Sequence, residues 1–194
     1  SPAPFLSRFH VYPRGRDAII AVVRNLGLKS DDEIYIDTTS QSPFVSSCVT
    51  CSIFNHARPS RVLTEKTRLI FIIHEFGFFN PRVDALIQSA RERKIPVFED
   101  SAHALNHVAE PREGVDFQLV SLSKSLPMEQ GALLAGPTAP EFSGFPWEME
   151  EVKKDRESLR RFAPYWKTLD ERRTGNYHFY QKQFPNHGVT LELR

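Results

Sequence analysis

The spacing of apolar residues changes several times along the chain, and each change marks an element. From about Arg16 to Leu26, the residues Ala18, Ile19, Val22, Val23 and Leu26 share one 3.6-residue stripe. This predicts an amphipathic helix, and Gly27 is placed to end it. Glu33-Ile-Tyr-Ile36 predicts a strand, followed by a polar turn from Asp37 to Pro43 and a second helix over Phe44 to Asn55. Leu69-Ile-Phe-Ile-Ile73 shows no polar alternation, the mark of a strand covered on both faces. Pro81 suits a helix start, and Val83, Leu86, Ile87 and Ala90 carry that helix to about Arg93. Three more strands are expected at Pro96 to Phe98, ending on Glu99-Asp100, at Gln118 to Leu122, and at Ala132 to Ala135. This β-α-β-α-β order with short connections predicts an α/β fold, a mostly parallel sheet flanked by helices.

The pattern shifts after Gly136. A connector from Pro137 to Pro146 leads into a charged stretch, Trp147 to Tyr180, that reads as two helices divided near Pro164 or Gly175. Two units are therefore expected: residues 1–136 as the α/β part, and residues 137–194 as connector and helical C-terminal extension. The run from Glu148 to Arg161 alternates in sign and reads as a solvated helix face.

Composition narrows the classes. The 194 residues include 25 basic and 24 acidic side chains, a net charge of +1. Without a basic surplus, neither nucleic acid nor an anionic membrane is an expected partner. Fifteen Phe, five Tyr and two Trp are too many for a chain that cannot collapse. Two cysteines exclude a disulfide scaffold, and Cys48-Val-Thr-Cys51 has no second pair with which to hold zinc. No apolar run approaches the ~20 residues of a membrane-spanning helix. Ser1 to Tyr12 lacks the continuous apolar core of a signal peptide, and the initial Ser suggests that an initiator residue or tag has been removed. The expected location is cytoplasmic.

In open α/β sheets, ligands bind at the carboxyl ends of the strands. The residues there are Asp37-Thr-Thr, His74-Glu75, Asp100-Ser-Ala-His103 and Ser121-Leu-Ser-Lys124. A lysine near a carboxylate and hydroxyls suits a Schiff base with an aldehyde cofactor. A carboxylate can keep a pyridine nitrogen protonated, and hydroxyls with a helix N-terminus can hold a phosphate. Together these describe pyridoxal 5'-phosphate (PLP).

Four segments carry a resemblance. Phe98-Glu-Asp-Ser-Ala-His-Ala-Leu105 is similar to the E-D-x-A-H-A-L segment of the DegT/DnrJ/EryC1/StrS sugar aminotransferases, which are fold-type I PLP enzymes. Ser121-Leu-Ser-Lys-Ser-Leu-Pro-Met-Glu-Gln-Gly131 resembles their lysine segment. Gly15-Arg-Asp-Ala-Ile-Ile20, with Leu26-Gly27 and Asp31-Asp-Glu33, resembles their opening helix and strand. Lys66-Thr-Arg-Leu-Ile70 and Ile73-His-Glu-Phe-Gly77 resemble the stretch between. The agreement spans about residues 12 to 136, which would make residues 1–136 a PLP-binding large-domain-like unit.

The resemblance implies roles. Lys124 is the Schiff-base lysine and Asp100 the partner of the pyridine nitrogen. His103 lies at the cofactor's phenolic oxygen, and Ser121, Gly15 and Arg16 bind the phosphate. Phe44 is the candidate for stacking on the ring. His74 receives at most a supporting role. The implied function is sugar amination, with an amino donor and a keto-sugar, nucleotide-linked in some members, as substrates. A homodimer is implied as well, and Phe76, Phe78 and Phe79 could supply an apolar patch for it.

The sequence departs from the family in several places. Between Ala57-Arg-Pro59 and Thr64, where the family carries a strand and a helix, only Ser60-Arg-Val-Leu63 is expected to remain. The double glycine after the lysine loop reads Gly131-Ala132. The residues from Leu169 to Tyr180 resemble the helix that leads into the family's small C-terminal domain, and the strands that follow it there have no counterpart. A shortened member is the resulting expectation. The alternatives are a non-catalytic binding or regulatory relative and a flavodoxin-like domain without PLP. Apart from the resemblance, Lys124 reads as a loop lysine, Asp100 equally as a turn cap or a functional carboxylate, and His103 and His74 as packed histidines.

Overall fold

A computed structural model describes residues 9–103 and 112–183. Ala104 and Leu105 of the acidic segment, and the outer ends of both expected units, lie outside the described residues. Seven strands form one sheet: β1 (Phe9–Tyr12), β2 (Glu33–Thr38), β3 (Arg58–Ser60), β4 (Thr67–Ile73), β5 (Val97–Asp100), β6 (Phe117–Ser121) and β7 (Ala132–Ala135). Their spatial order is β1-β7-β6-β5-β4-β2-β3. The strands from β3 to β6 run parallel, and β7 is antiparallel to both β6 and β1. The mostly parallel α/β sheet expected from the sequence is present.

Among the described residues, five α-helices flank it: α1 (Gly15–Asn25), α2 (Ser47–Phe54), α3 (Val83–Arg93), α4 (Pro146–Phe162) and α5 (Trp166–Gln183). The period of two along each strand sorts the core. Ile34, Ile36, Leu69, Phe71, Phe98, Phe117 and Leu119 pack with α1 and α2 on one face. On the other face, Ile70, Ile72 and Val97 pack with α3, while Val11, Val120, Leu122 and Leu133 pack with Val152 and Leu159 of α4. Phe71 and Phe98 stack across neighbouring strands, with centroids 4.5 Å apart.

Several boundaries correct the expectations. β1 was not anticipated, because four residues are too few to show a period; only pairing with β7 makes them a strand. The segment after Ala57 keeps the edge strand β3, with Pro59 paired to Ile34. Proline is tolerated there because an edge needs no donor on its open side. Helix α2 starts at Ser47, capped by Ser46 Oγ accepting from Cys48 N–H, which leaves Phe44 in the loop before it. Helix α3 begins at Val83, not at Pro81. The C-terminal helices divide at Pro164, within a 3-10 turn over Ala163–Tyr165, while α5 runs through Gly175 unbroken. Among the described residues, no helix is long and apolar enough to cross a membrane.

Candidate functional site

Strand alternation decides which polar residues can meet. Thr38, Ile73, Asp100 and Ser121 end their strands on the α1 side, and they line a cleft of about 770 Å³. Asp37, His74 and Glu99 lie one residue earlier or later and turn to the opposite face. Gly15, Arg16, Phe44, Asp100, His103, Ser121 and Lys124, all seven residues singled out in the sequence, line this one cleft.

Asp100 is buried, and its Oδ1 accepts the Ala102 N–H at 2.9 Å. Burial pushes its carboxyl above the ordinary Asp range; the Ala102 N–H and then the charges of Lys124 and His74 oppose that shift. His103 is pushed below the ordinary histidine value, by burial first and then by the Lys124 charge, against the pull of Glu75. Its ring stacks on Phe76, with centroids 5.7 Å apart and planes 9° apart.

Lys124 is exposed and follows β6 in a loop that closes on itself. Leu122 N–H donates to Gly131 O, and Gly131 N–H donates to Pro13 O. Gly131 has φ +106°, and a Cβ there would come within 3.0 Å of Leu122 Cδ1. The lysine loop therefore needs glycine at its base, a requirement met although the family's second glycine is Ala132 here. The Gly131–Pro13 bond also ties this loop to the segment that enters α1.

Gly15 opens α1, and the Arg14 side chain at its cap pairs with the Asp17 carboxylate at 2.9 Å rather than with the first-turn amides. The N-terminal amides of that turn thus meet the cleft without a capping side chain. Ser121 Oγ lies 3.4 Å from Ser123 Oγ, placing two hydroxyls at the same end. Arg16 is exposed, with Nη2 at 3.7 Å from Cys48 Sγ. Phe44 is 85% exposed, its ring covered by little of the protein.

Sequence reasoning missed two contributors. Phe76 had been noted only as part of an apolar patch, yet it lines the cleft in the left-handed region at φ 55°. Its only sequence signal is the Phe-Gly turn directly after a buried strand. Ser123 was likewise passed over between Ser121 and Lys124. In contrast, Asp37 and His74 do not join the cleft. His74 Nε2 lies 2.7 Å from Glu99 Oε1, and Asn80 N–H donates to His74 Nδ1, so both ring nitrogens are engaged away from the cleft.

The donor set fits a phosphorylated pyridine aldehyde. The cleft offers an amine, a buried carboxylate with one backbone bond, a hydroxyl pair and an uncapped helix N-terminus. A profile of the family described as "Putative PLP-dependent aminotransferase" matches residues 7–137. The chain belongs to that family. PLP is the family's cofactor. Among solved structures, the chain is similar to the aminotransferase TlmJ from Streptoalloteichus hindustanus at 18% identity and a TM-score of 0.58, covering 80% of this chain and 45% of that one. It is similar to the aromatic aminotransferase from Pyrococcus horikoshii OT3 at 14% identity and 0.61, covering 93% and 59%. A third is the aminotransferase from Psychrobacter cryohalolentis, at 16% and 0.57, covering 82% and 54%. At these identities the likeness is one of fold. The chain spans about half the length of these structures. No curated protein matches the sequence.

Proposed function

We propose that residues 1–136 hold PLP on Lys124 and serve an aminotransferase of the sugar-aminating DegT/DnrJ/EryC1/StrS kind, with residues 137–194 as a helical extension. The observation that carries this reading is the single cleft shared by Lys124, Asp100, Ser121 and the α1 N-terminus. When bound, PLP supplies an electron sink for bonds at a substrate's Cα. Asp100 holds a proton on the ring nitrogen, a role for which its burial strengthens the ion pair. The first-turn amides of α1, the Ser121 and Ser123 hydroxyls and Arg16 bind the phosphate. Phe44 would cover the ring, and His103 would donate toward the phenolic oxygen. The Lys124 amine would hold the cofactor's aldehyde carbon and, when free, would take and return a proton at a substrate's Cα.

The proposed substrates are an amino donor and a keto-sugar, and the proposed assembly is a cytoplasmic homodimer. Addition of PLP should give an absorbance band at the edge of the visible range, and borohydride reduction should leave the pyridoxyl group on Lys124. A label on another residue, or none, overturns the reading. A band that an amino donor does not shift would favour a binding relative without turnover. Light scattering at micromolar concentration checks the dimer against the 22.3 kDa of one chain.

A further inference from the structure

Helix α5 meets the rest of the chain by one stripe. Trp166 and Leu169 pack against the α4-side core. One turn on, Arg173 Nη2 donates to the carbonyl oxygen of Ser125. One turn further, the Tyr177 ring meets Phe78 edge-on at 6.3 Å. The spacings of three, four and four residues keep all of these groups on one helix face. The two outer contacts reach the two loops that carry Lys124 and Phe76 into the cleft. Ser125 follows Lys124 directly, and Phe78 stands two residues after Phe76.

We propose that Arg173 is a positioning residue for Lys124, and that α5 straps the lysine loop to the loop after β4. The proposal rests on the PLP reading given above. Ser125 is buried, and its carbonyl needs a donor that the short turn does not provide. That turn uses the Leu122 carbonyl twice, for Ser125 N–H and Leu126 N–H, and the Leu126 carbonyl for Met128 N–H. Arg173 reaches in from 48 residues away to satisfy the Ser125 carbonyl. A charged donor on a buried acceptor is among the stronger hydrogen bonds, and its loss leaves the acceptor unpaired. The peptide next to the reactive amine would then be the weakest point of the loop.

The test compares Arg173→Leu, Arg173→Lys and Arg172→Leu in the full chain, by PLP titration and by amide hydrogen exchange. Arg172 is exposed and next in sequence, off the stripe, and serves as the control. Arg173→Leu should weaken PLP affinity and speed exchange over residues 123–130, each by about tenfold. Arg173→Lys should stay within about threefold of the parent, since it keeps a charged donor. Arg172→Leu should match the parent. Should Arg173→Leu fail to fold, Tyr177→Ala removes the other tie and should speed exchange over residues 75–79. Unchanged exchange in these variants overturns the strap. Faster exchange with unchanged PLP affinity overturns the positioning role. If the parent itself fails to bind PLP, the functional reading falls, while the exchange measurements still decide the strap.

Discussion

Glu99 and Asp100 are neighbours at the end of β5, and both are buried, yet their surroundings differ. Glu99 faces α3 and meets His74 at 2.7 Å, Arg112 at 3.3 Å and Gln118 at 3.4 Å. Asp37, on the same face, binds Arg82 at 2.6 Å, Asn80 at 2.6 Å and Tyr35 at 2.8 Å. Asp100 faces the cleft with the Ala102 N–H on one oxygen. The Glu99 and Asp37 carboxylates are closed on neighbouring side chains, though Arg82 Nε and Gln118 Oε1 beside them stay unpaired among the described residues; Asp100 keeps its carboxylate turned to the cleft. A polar layer satisfied within the protein ties elements together. A polar layer left open toward a cleft stores binding capacity, because its partners arrive with the ligand.

The comparison breaks most visibly at Glu99. Glu99→Ala takes the buried acceptor from His74 Nε2 and from Arg112 Nε, leaving Arg112 only Asp84, and should cost roughly 3 kcal/mol in urea denaturation. A loss below about 1 kcal/mol would mean that the two faces are equivalent. Asp100→Asn should act in the opposite sense on the protein without PLP. Its carboxyl stands above the unfolded value, so its stabilising contribution is complete below the ordinary Asp range and is lost as pH rises through the folded-state value. At neutral pH the amide should therefore leave stability unchanged or raised by about 1 kcal/mol, while weakening PLP binding at least tenfold in a spectroscopic titration.

A similar pH dependence is expected away from the cleft. Asp155 of α4 is raised to about 6 by burial and by the Glu151 charge, and its Oδ2 has no partner among the described residues. The protonated form favours docking of α4, so stability should fall between about pH 4 and pH 6 and level off above that window. The amplitude should be on the order of 1 to 3 kcal/mol, the equivalent of a shift from the ordinary Asp value to about 6. Asp155→Asn should flatten that part of a thermal-denaturation pH profile. The smallest effect is expected at Phe76. It is 78% exposed, so Phe76→Ala should change stability by less than about 0.5 kcal/mol. Removing the stacked ring admits water to His103 and should move its pKa up toward the ordinary value, as read by NMR titration. An unmoved titration would assign the His103 shift to Lys124 instead.

Much of this site was legible because strand ends are marked twice. Periodicity shows where a strand stops, and the residues there stand at the ligand edge. Asp100, Ser121 and Lys124 were found in this way, and the motif context named their roles. Asp37 and His74 follow the same rule and still miss the cleft, because strand-end position does not say which face a side chain takes. Register does: Asp37 pairs beside Ile72, and Ile72 beside Glu99, which sets all three on the α3 face with His74. Phe44 was expected inside a helix because apolar residues continue from it into α2. The Ser46 cap moved that start and released Phe44 to the loop.

The sequence by itself determined the elements with strong periods, the parallel arrangement and the set of residues that could carry the chemistry. Those features are local: a stripe, an unbroken apolar run or a motif is complete within a few tens of residues. The tertiary structure decided what depends on distant partners. β1 exists only by pairing with β7, more than a hundred residues away. Gly131 closes the lysine loop against Pro13. Arg173 reaches Ser125 from a helix whose own pattern gives little sign of a buried side. Each is a hydrogen bond between backbone or side-chain groups that look ordinary in sequence, and only burial makes leaving them unpaired costly.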